Sequence, residues 1–325
     1  MSAQPTTPED DTNERRRTKP RRPISAFVIC FNEEEHIADC LRSLDFCDEV
    51  LVIDSFSKDR TVEIAMAMGA KVIQRAWPGY RDQKAFGLTV VAHEWVINID
   101  ADERVSPELR ESILNILESD EISTAQRAIA GYYVNRVVFY LGRWWRKGGW
   151  YPEYRLRVFR KHLVTWGGVE PHEKPIVQGE TGTLPGELQH FTYKNMDEQL
   201  SRLHKFSSIA ARAEFEAGGR SSVLSLLLNP ILRMLKFYVL KKGYREGMAG
   251  FVVAGIEGYY TFMKYAKLWE IQYMLDKEWR PAGSPPYHAP RANAESRSDV
   301  NTAIEGSVIG DRAAKLEMSQ RKEGQ

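Results

Sequence analysis

The sequence predicts an α/β fold: a mixed, mainly parallel sheet with helices on both faces, continued by a C-terminal helical extension. Three observations predict it. Short, nearly all-apolar runs of strand length recur from Ile24 onward, each followed by a stretch with helical spacing. Strands of that kind are buried on both faces, as a helix-covered parallel sheet requires. Polar loops follow the first, second and fourth runs, and in open α/β sheets ligands sit outside the carboxyl ends of the strands. From Val223 to about Glu278 the chain is apolar with a helical period.

Each element follows in order. Ile24–Cys30 is the first strand, and Asn32-Glu-Glu-Glu35 reads as a helix opening with acids in its first turn, ahead of Ile37, Leu41 and Leu44 at helical spacing. Glu49–Ile53 is the second strand, ending in Asp54-Ser55; Thr61–Met68 is a helix stopped by Gly69. Lys71–Ile73 is a third strand, Gln83–Ala92 a helix and Trp95–Ile99 a fourth strand, ending in Asp100-Ala-Asp-Glu103. Pro107–Leu117 is a helix with proline in its first turn. Tyr132, Val134, Val137 and Phe139, then Leu156, Val158 and Phe159, predict strands of an antiparallel or mixed extension, with the aromatic and cationic stretch Gly142–Tyr151 between them. A Gly/Pro-rich loop covers Gly167–Pro175, and Met196–Ala217 is helical. The expected division is a disordered basic tail over 1–22, a catalytic domain over 23–217, a helical extension over 218–280 and a disordered tail over 281–325.

Composition bounds the function. The 325 residues are 27% charged and 43% hydrophobic, ordinary for a globular protein. A formal net charge of +1 argues against a nucleic-acid partner. Cys30, Cys40 and Cys47 form no CxxC pair, which fits a reducing compartment and lacks a zinc pattern. The N-terminus shows no apolar signal-peptide core, so a cytoplasmic location is expected. Its run of Arg15, Arg16, Arg17, Lys19, Arg21 and Arg22 is either a solvated tail or attracted to an anionic membrane.

Asp100-x-Asp102 carries the chemistry. On an extended backbone two carboxylates so spaced project to one side. Hard oxygen ligands of this kind suit Mg²⁺ or Mn²⁺, which neutralise a diphosphate as it leaves. A bare DxD arises often by chance; its place after the fourth strand gives it weight. Asp54 either accepts hydrogen bonds from a base or ribose or closes an Asx-turn before Thr61. Glu33 and Glu34 serve equally well as first-turn acids on a helix dipole.

Ala26-Phe-Val-Ile-Cys-Phe-Asn-Glu-Glu-Glu35, Val50-Leu-Val-Ile-Asp-Ser-Phe-Ser-Lys-Asp-Arg-Thr61 and Trp95-Val-Ile-Asn-Ile-Asp-Ala-Asp-Glu103 resemble family 2 glycosyltransferases of the GT-A (Rossmann-like) fold. The similarity is to the bacterial lipopolysaccharide-core branch that transfers glucose in β linkage. It extends through Arg157-Val-Phe-Arg160, Pro171-His-Glu-Lys174 and Lys264-Tyr-Ala-Lys-Leu-Trp269, covering about Pro23 to Leu275. The resemblance implies an inverting, metal-dependent hexosyltransferase acting from a UDP-sugar donor on a lipid-linked saccharide, with Mg²⁺ or Mn²⁺ as cofactor. It implies that Phe31, Asn32 and Glu33 line the nucleotide pocket and that Asp54 reads the base. Asp100 holds the ribose or the metal-bound diphosphate, and Asp102 ligates the metal. Lys84 either steadies the nucleotide or lies on a solvated helix face.

An inverting transfer needs a general base on the acceptor side, opposite the leaving group. His172-Glu173, far downstream of the donor loops, fits: Glu173 is the expected base and His172 a third metal ligand or phosphate contact. Glu170 competes for the base, because Val169-Glu-Pro-His-Glu173 departs from the shorter Val-His-Glu form of relatives. Of Arg155, Arg157 and Arg160, Arg157 is the expected diphosphate contact, with exposed strand-edge charge as the alternative. Trp144, Trp145, Trp150 and Tyr151 either stack on sugars or form core.

Leu224, Leu227, Leu228, Ile231, Leu232 and Leu235 keep helical spacing among Arg233, Lys236, Lys241, Lys242 and Arg245. With no 18 uninterrupted apolar residues, a spanning helix is not expected. A basic helix lying on the cytoplasmic face of the inner membrane is; core packing or a homodimer contact is the alternative. Two rival functions are a sugar nucleotidyltransferase, which wants a glycine-rich loop after the first strand where Phe31-Asn-Glu-Glu-Glu35 has none, and an inactive binding or scaffold protein.

Overall fold

A computed structural model describes residues 21–118, 129–167 and 174–276. The expected tails, apart from Arg21 and Arg22, and the stretch that carries Glu170, His172 and Glu173 lie outside the described residues.

Four parallel strands open the fold: β1 (Ile24–Cys30), β2 (Glu49–Asp54), β3 (Lys71–Gln74) and β4 (Trp95–Asp100). Helices α1 (Ile37–Arg42), α2 (Thr61–Ala67) and α3 (Tyr80–Val90) connect them. Beyond come β5 (Glu103–Val105), α4 (Pro107–Glu118), β6 (Ile129–Tyr140), β7 (Arg143–Trp145), β8 (Glu153–Arg160), β9 (Val164–Gly167), β10 (Lys174–Val177) and β11 (Glu180–His190). The strand order is β3-β2-β1-β4-β8-β6-β11-β5, with β7 paired to β6 and β9-β10 as a separate hairpin. The sheet is therefore mixed: β1 to β4 are parallel, β8 runs against β4 and β6, and β11 is again parallel to β6.

Continuous apolar runs form the central strands because both faces are covered. All seven residues of β1 are buried. One face packs Val28, Ile97 and Ile99 against Ile37 and Leu41 of α1 and Leu109 and Ile113 of α4. The other packs Phe27, Ile29 and Ile53 against Tyr80 of α3 and Phe206 of the long helix α5 (Met196–Glu216). The C-terminal helices α6 (Val223–Leu235) and α7 (Gly247–Asp276) follow, and α5 joins them to the sheet: its Ala211 packs against Leu268 and Ile271 of α7.

Several sequence expectations are corrected. Residues 32–36 form a turn, not a helix start; α1 begins at Ile37. The helix expected over Gln83–Ala92 runs from Tyr80 to Val90. Strand β11 was not expected at all. The helical period expected from Val223 onward is realised as a continuous helix, Val223–Leu240, whose last five residues form a π-turn closed by Lys241 N–H donating to the Lys236 carbonyl. Its 18 residues have a mean hydropathy of 1.6, long and apolar enough for a membrane span by length and composition alone, though Arg233 and Lys236 interrupt the apolar run as the sequence indicates.

Candidate active site

Register builds the site. Cys30 pairs with Asp54, and Ile29 pairs with both Ile53 and Asp100, so the ends of β2, β1 and β4 lie side by side at one sheet edge. The loops after β1 and β2 are laced together by hydrogen bonds between backbone and side chain. Asn32, in a left-handed conformation with φ 55°, donates its N–H to Ser57 Oγ (2.8 Å), and its Oδ1 accepts from Lys58 N–H (2.8 Å). Glu33 N–H donates to Thr61 Oγ1 (2.7 Å) and Glu34 N–H to Asp59 Oδ2 (3.1 Å). Phe31 is half-buried beside them.

Asp54 makes the contacts of an Asx-type turn. Its fully buried carboxylate accepts from Ser57 N–H (3.0 Å), the Ser57 hydroxyl and Gln74 Nε2 (3.1 Å). These bonds tie down the loop that carries Ser55 and Phe56.

Strand β4 stops at Asp100, and residues 101–102 form a turn before β5. The two aspartates consequently face different partners, instead of projecting together from an extended strand. Asp100 meets cations: Lys84 Nζ lies 3.7 Å from Oδ1, and Arg157 Nη2 donates to Oδ2 at 2.9 Å. Burial alone would raise its pKa, but Lys84 and Arg157 outweigh that and hold it well below the usual carboxylate range. Lys84 is 3% exposed, with Nζ 5.3 Å from the Trp166 ring centroid, so it is not on a solvated helix face. Arg157 is likewise buried, not a strand-edge charge.

Behind Asp100 lies a buried ion network. Glu103, wholly inaccessible, accepts from Asp100 N–H (3.0 Å), Arg157 (2.6 Å) and Arg136 (3.3 Å). Arg136 continues to Glu153 (2.8 Å), which also pairs with Arg155 (2.5 Å). Burial pushes the Glu153 pKa up, and the charges of Arg136 and Arg155 overcome it, bringing it down to about 2. Arg155 therefore belongs to the supporting network. Arg160 is at the far end of the sheet, paired with Glu94 (3.0 Å) and stacked over Trp95.

Asp102 meets His190, the last residue of β11, with Nε2 3.3 Å from Oδ2. The other ring nitrogen, Nδ1, is 2.9 Å from Thr192 Oγ1, which fixes the ring. Burial works against ionisation of Asp102, but His190 keeps its pKa below the ordinary value, with Arg202 adding positive field. His36 feels the charge of Asp102, and its Nδ1 is buried without a hydrogen-bond partner. Glu103, Arg136 and His190 escaped the sequence reading. A charged residue inside an apolar strand gave the only signal for Arg136, and His190 gave none.

The donor set can be tested against a divalent ion. Among the described residues no three His, Cys, Asp or Glu side chains converge. The ionised Asp102, its side chain 12% exposed, and the buried His190 imidazole form a two-donor set. Mg²⁺ and Mn²⁺ sites commonly take one or two protein ligands and complete the shell with phosphate and water. The donor types fit a site of that kind, and Asp100, committed to Lys84 and Arg157, stands behind it. Of the aromatics, Trp145 and Trp150 are core, Trp144 packs on Phe139 and Phe191, and Tyr151 donates to Glu187 (3.2 Å).

Known proteins resemble the chain as follows. The family model described as Glycosyl transferase family 2 matches residues 25–170. The lipopolysaccharide core biosynthesis glycosyltransferase LpsC of Rhizobium meliloti (strain 1021) is 31% identical over 258 residues, 77% of this chain and 93% of that protein. An uncharacterized glycosyltransferase of Rickettsia typhi, RT0209, is 30% identical over 76% of this chain and 87% of its own. Among solved structures, S. aureus TarS 1-349 in complex with UDP-GlcNAc is 13% identical over 79% of this chain and 93% of that chain, with a TM-score of 0.41.

Proposed function

The chain belongs to glycosyltransferase family 2, and from that premise we propose that it transfers a hexose, with glucose the first candidate, from a UDP-sugar to a lipid-linked saccharide of the cell envelope. Membership in the family makes it a glycosyltransferase and sets the nucleotidyltransferase alternative aside. The envelope saccharide, with lipopolysaccharide core as the model, is supported by the name of the Rhizobium relative. The work would take place on the cytoplasmic face of the inner membrane.

One observation carries the mechanistic reading: Asp100 and Asp102 stand at the carboxyl end of β4, one locked by Lys84 and Arg157, the other paired with His190. Asp102 and His190 would hold Mg²⁺ or Mn²⁺, which would supply charge neutralisation for the departing diphosphate. The protein's own residues do the rest. The rigid turn of Asn32, Glu33 and Ser57 presents backbone and the Phe31 ring to the nucleotide. Lys84 and Arg157 set a positive field beside the diphosphate position, pre-organised because Glu103 and Trp166 already hold them. Glu173 takes the proton of the acceptor hydroxyl as that hydroxyl attacks the anomeric carbon opposite the leaving group, and Glu170 is its competitor. The hairpin that bounds them supports this: β9 ends at Trp166-Gly167, over the same Lys84 that faces Asp100, and Gly167 pairs with Lys174.

The test is transfer itself. UDP-sugars are screened for release of UDP with the purified chain, then Glu173→Gln is assayed on the preferred donor. The expected result is loss of transfer by about 10²-fold or more with UDP affinity unchanged. Full activity in Glu173→Gln moves the base to Glu170, and absence of turnover with any nucleotide sugar contradicts the proposed reaction.

A further inference from the structure

Helix α6 is packed inside out. A surface helix of a globular protein turns its apolar stripe to the core; this one turns it to the outside. Val223, Leu224, Leu227, Leu228, Ile231, Leu232 and Leu235 are between 46% and 73% exposed, and Val239 and Leu240 extend the face. The polar residues face the protein. Arg233 donates to Glu257 Oε2 (2.6 Å), Glu257 Oε1 accepts from Trp150 Nε1 (3.1 Å), and Pro230 lies close against Gly258 of α7. This arrangement is coherent in energy only if another apolar medium covers the outer face, since nine large aliphatic side chains are left in contact with water.

Charge selects the medium. Between Ala217 and Arg245 the sequence contains Arg220, Arg233, Lys236, Lys241, Lys242 and Arg245 and no Asp or Glu. Arg233 is paired with Glu257; Arg220 stands before the first turn of the helix, and Lys236, Lys241, Lys242 and Arg245 cluster at its other end. Met248, Phe251 and Tyr244, all exposed, continue the apolar surface past the basic end. A leucine face with a one-sign basic collar matches an anionic lipid surface: acyl chains for the leucines and headgroup phosphates for the cations.

We propose that Val223–Leu240 is an in-plane membrane anchor that seats the enzyme on an anionic leaflet with the leucine face in the acyl boundary. It lies in the plane, not across it, because its polar side is fastened to α7 through Arg233–Glu257 and the Pro230–Gly258 contact. The anchor also adjoins the active-site edge. Phe237 packs on Trp150, beside Val138 and Tyr140 at the end of β6, and Val138 pairs in register with His190, the partner of Asp102. For its purpose the inference rests on the lipid-linked acceptor proposed above: a leaflet under α6 would bring a lipid-borne saccharide to the edge where Asp102 stands.

The experiment is vesicle flotation of the full chain. One set of vesicles is phosphatidylcholine with about a third phosphatidylglycerol; the other is phosphatidylcholine alone. The expected result is co-flotation with the anionic vesicles, at least tenfold stronger than with neutral ones, and release by a carbonate wash. The triple variant Leu227→Gln, Leu228→Gln, Ile231→Gln should lose flotation by tenfold or more while keeping its thermal midpoint, because these side chains are 46–60% exposed and belong to none of the buried core clusters. Lys242→Asn with Arg245→Gln should weaken anionic binding by roughly fivefold for each charge removed. Equal flotation of the triple variant overturns the proposal. So does retention through the carbonate wash, which makes the helix a span, and so does a dimer in light scattering that the same substitutions dissociate, which makes the face a contact between copies. UDP release measured in detergent-free solution separates the two readings: flotation can fail with turnover intact, and turnover can fail with flotation intact.

Discussion

At the scale of the residue, Glu103 governs how Asp100 is presented. It accepts from Arg157, Arg136 and the Asp100 N–H with no access to water. Losing its charge takes the shared carboxylate from between two buried guanidinium groups, leaving Arg157 with Asp100 and Arg136 with Glu153, and breaking a buried pair in this way costs about 3–5 kcal/mol. Glu103→Gln is therefore expected to lose about that much stability in urea denaturation, whereas Glu63→Gln, which removes an exposed pair with Arg60, leaves the midpoint unchanged. Glu153 makes a prediction in pH. Its folded pKa lies at about 2, against 4.5 in the unfolded chain, so the stability it gives is complete above pH 4.5 and drains away as the pH falls towards 2. The wild type should lose stability across that window more steeply than Glu153→Gln, as acid titrations followed by circular dichroism would register. Lys84→Met removes the cation facing Asp100 and is expected to lower kcat/KM for the donor by on the order of 10²-fold, measured on the folded fraction.

The residue scale is also where the sequence was least legible. Asp100 and Asp102 could be read because an apolar strand delivers them to a loop. Asp54 could be placed but not assigned, since only its hydrogen bonds to Ser57 and Gln74 reveal the Asx-turn. Arg136 and His190 reach the site from strands β6 and β11 through long-range pairing, which local spacing does not encode.

At the scale of the element, β1 to β4 and their helices were legible because burial on both faces writes an unbroken apolar run. The start of α1 was not. The N–H groups of Asn32, Glu33 and Glu34 go to Ser57, Thr61 and Asp59 in the next loop, so a tertiary contact removes what looked like a first helical turn. Strand β11 was hidden by its composition: Gly182, Pro185 and Gly186 break the alternation, and the register slips between Thr183 and Glu187. Helix α6 shows the reverse case, an evident pattern whose facing is opposite to the usual rule. Packing between elements gives a prediction too. A Cβ at Gly87 of α3 would lie 2.5 Å from the Phe27 ring of β1, so Gly87→Ala should destabilise by about 1–3 kcal/mol through overpacking despite its better helix propensity, read as a lowered urea midpoint.

At the scale of the whole molecule, one sheet edge gathers the donor loops, Asp100, Asp102 and His190, and the apolar surface of α6 adjoins it. This arrangement separates two jobs. The parallel half of the sheet builds the proposed donor site from residues close in sequence. The antiparallel half brings distant residues, Arg136, Arg157 and His190, to it, and on the proposed reading the helices supply the acceptor side. His190→Ala should accordingly weaken metal affinity by about 10–100-fold while leaving the fold intact, a change that a Mn²⁺ titration would detect.

The central claim, that Asp100 and Asp102 form a metal-assisted donor site, is tested most directly by calorimetric titration of UDP into the wild type and Asp102→Asn, each with Mn²⁺ and with chelator. The account predicts UDP binding at least tenfold tighter with Mn²⁺ in the wild type and no metal effect in Asp102→Asn. Equal UDP affinity with and without metal in the wild type would contradict it.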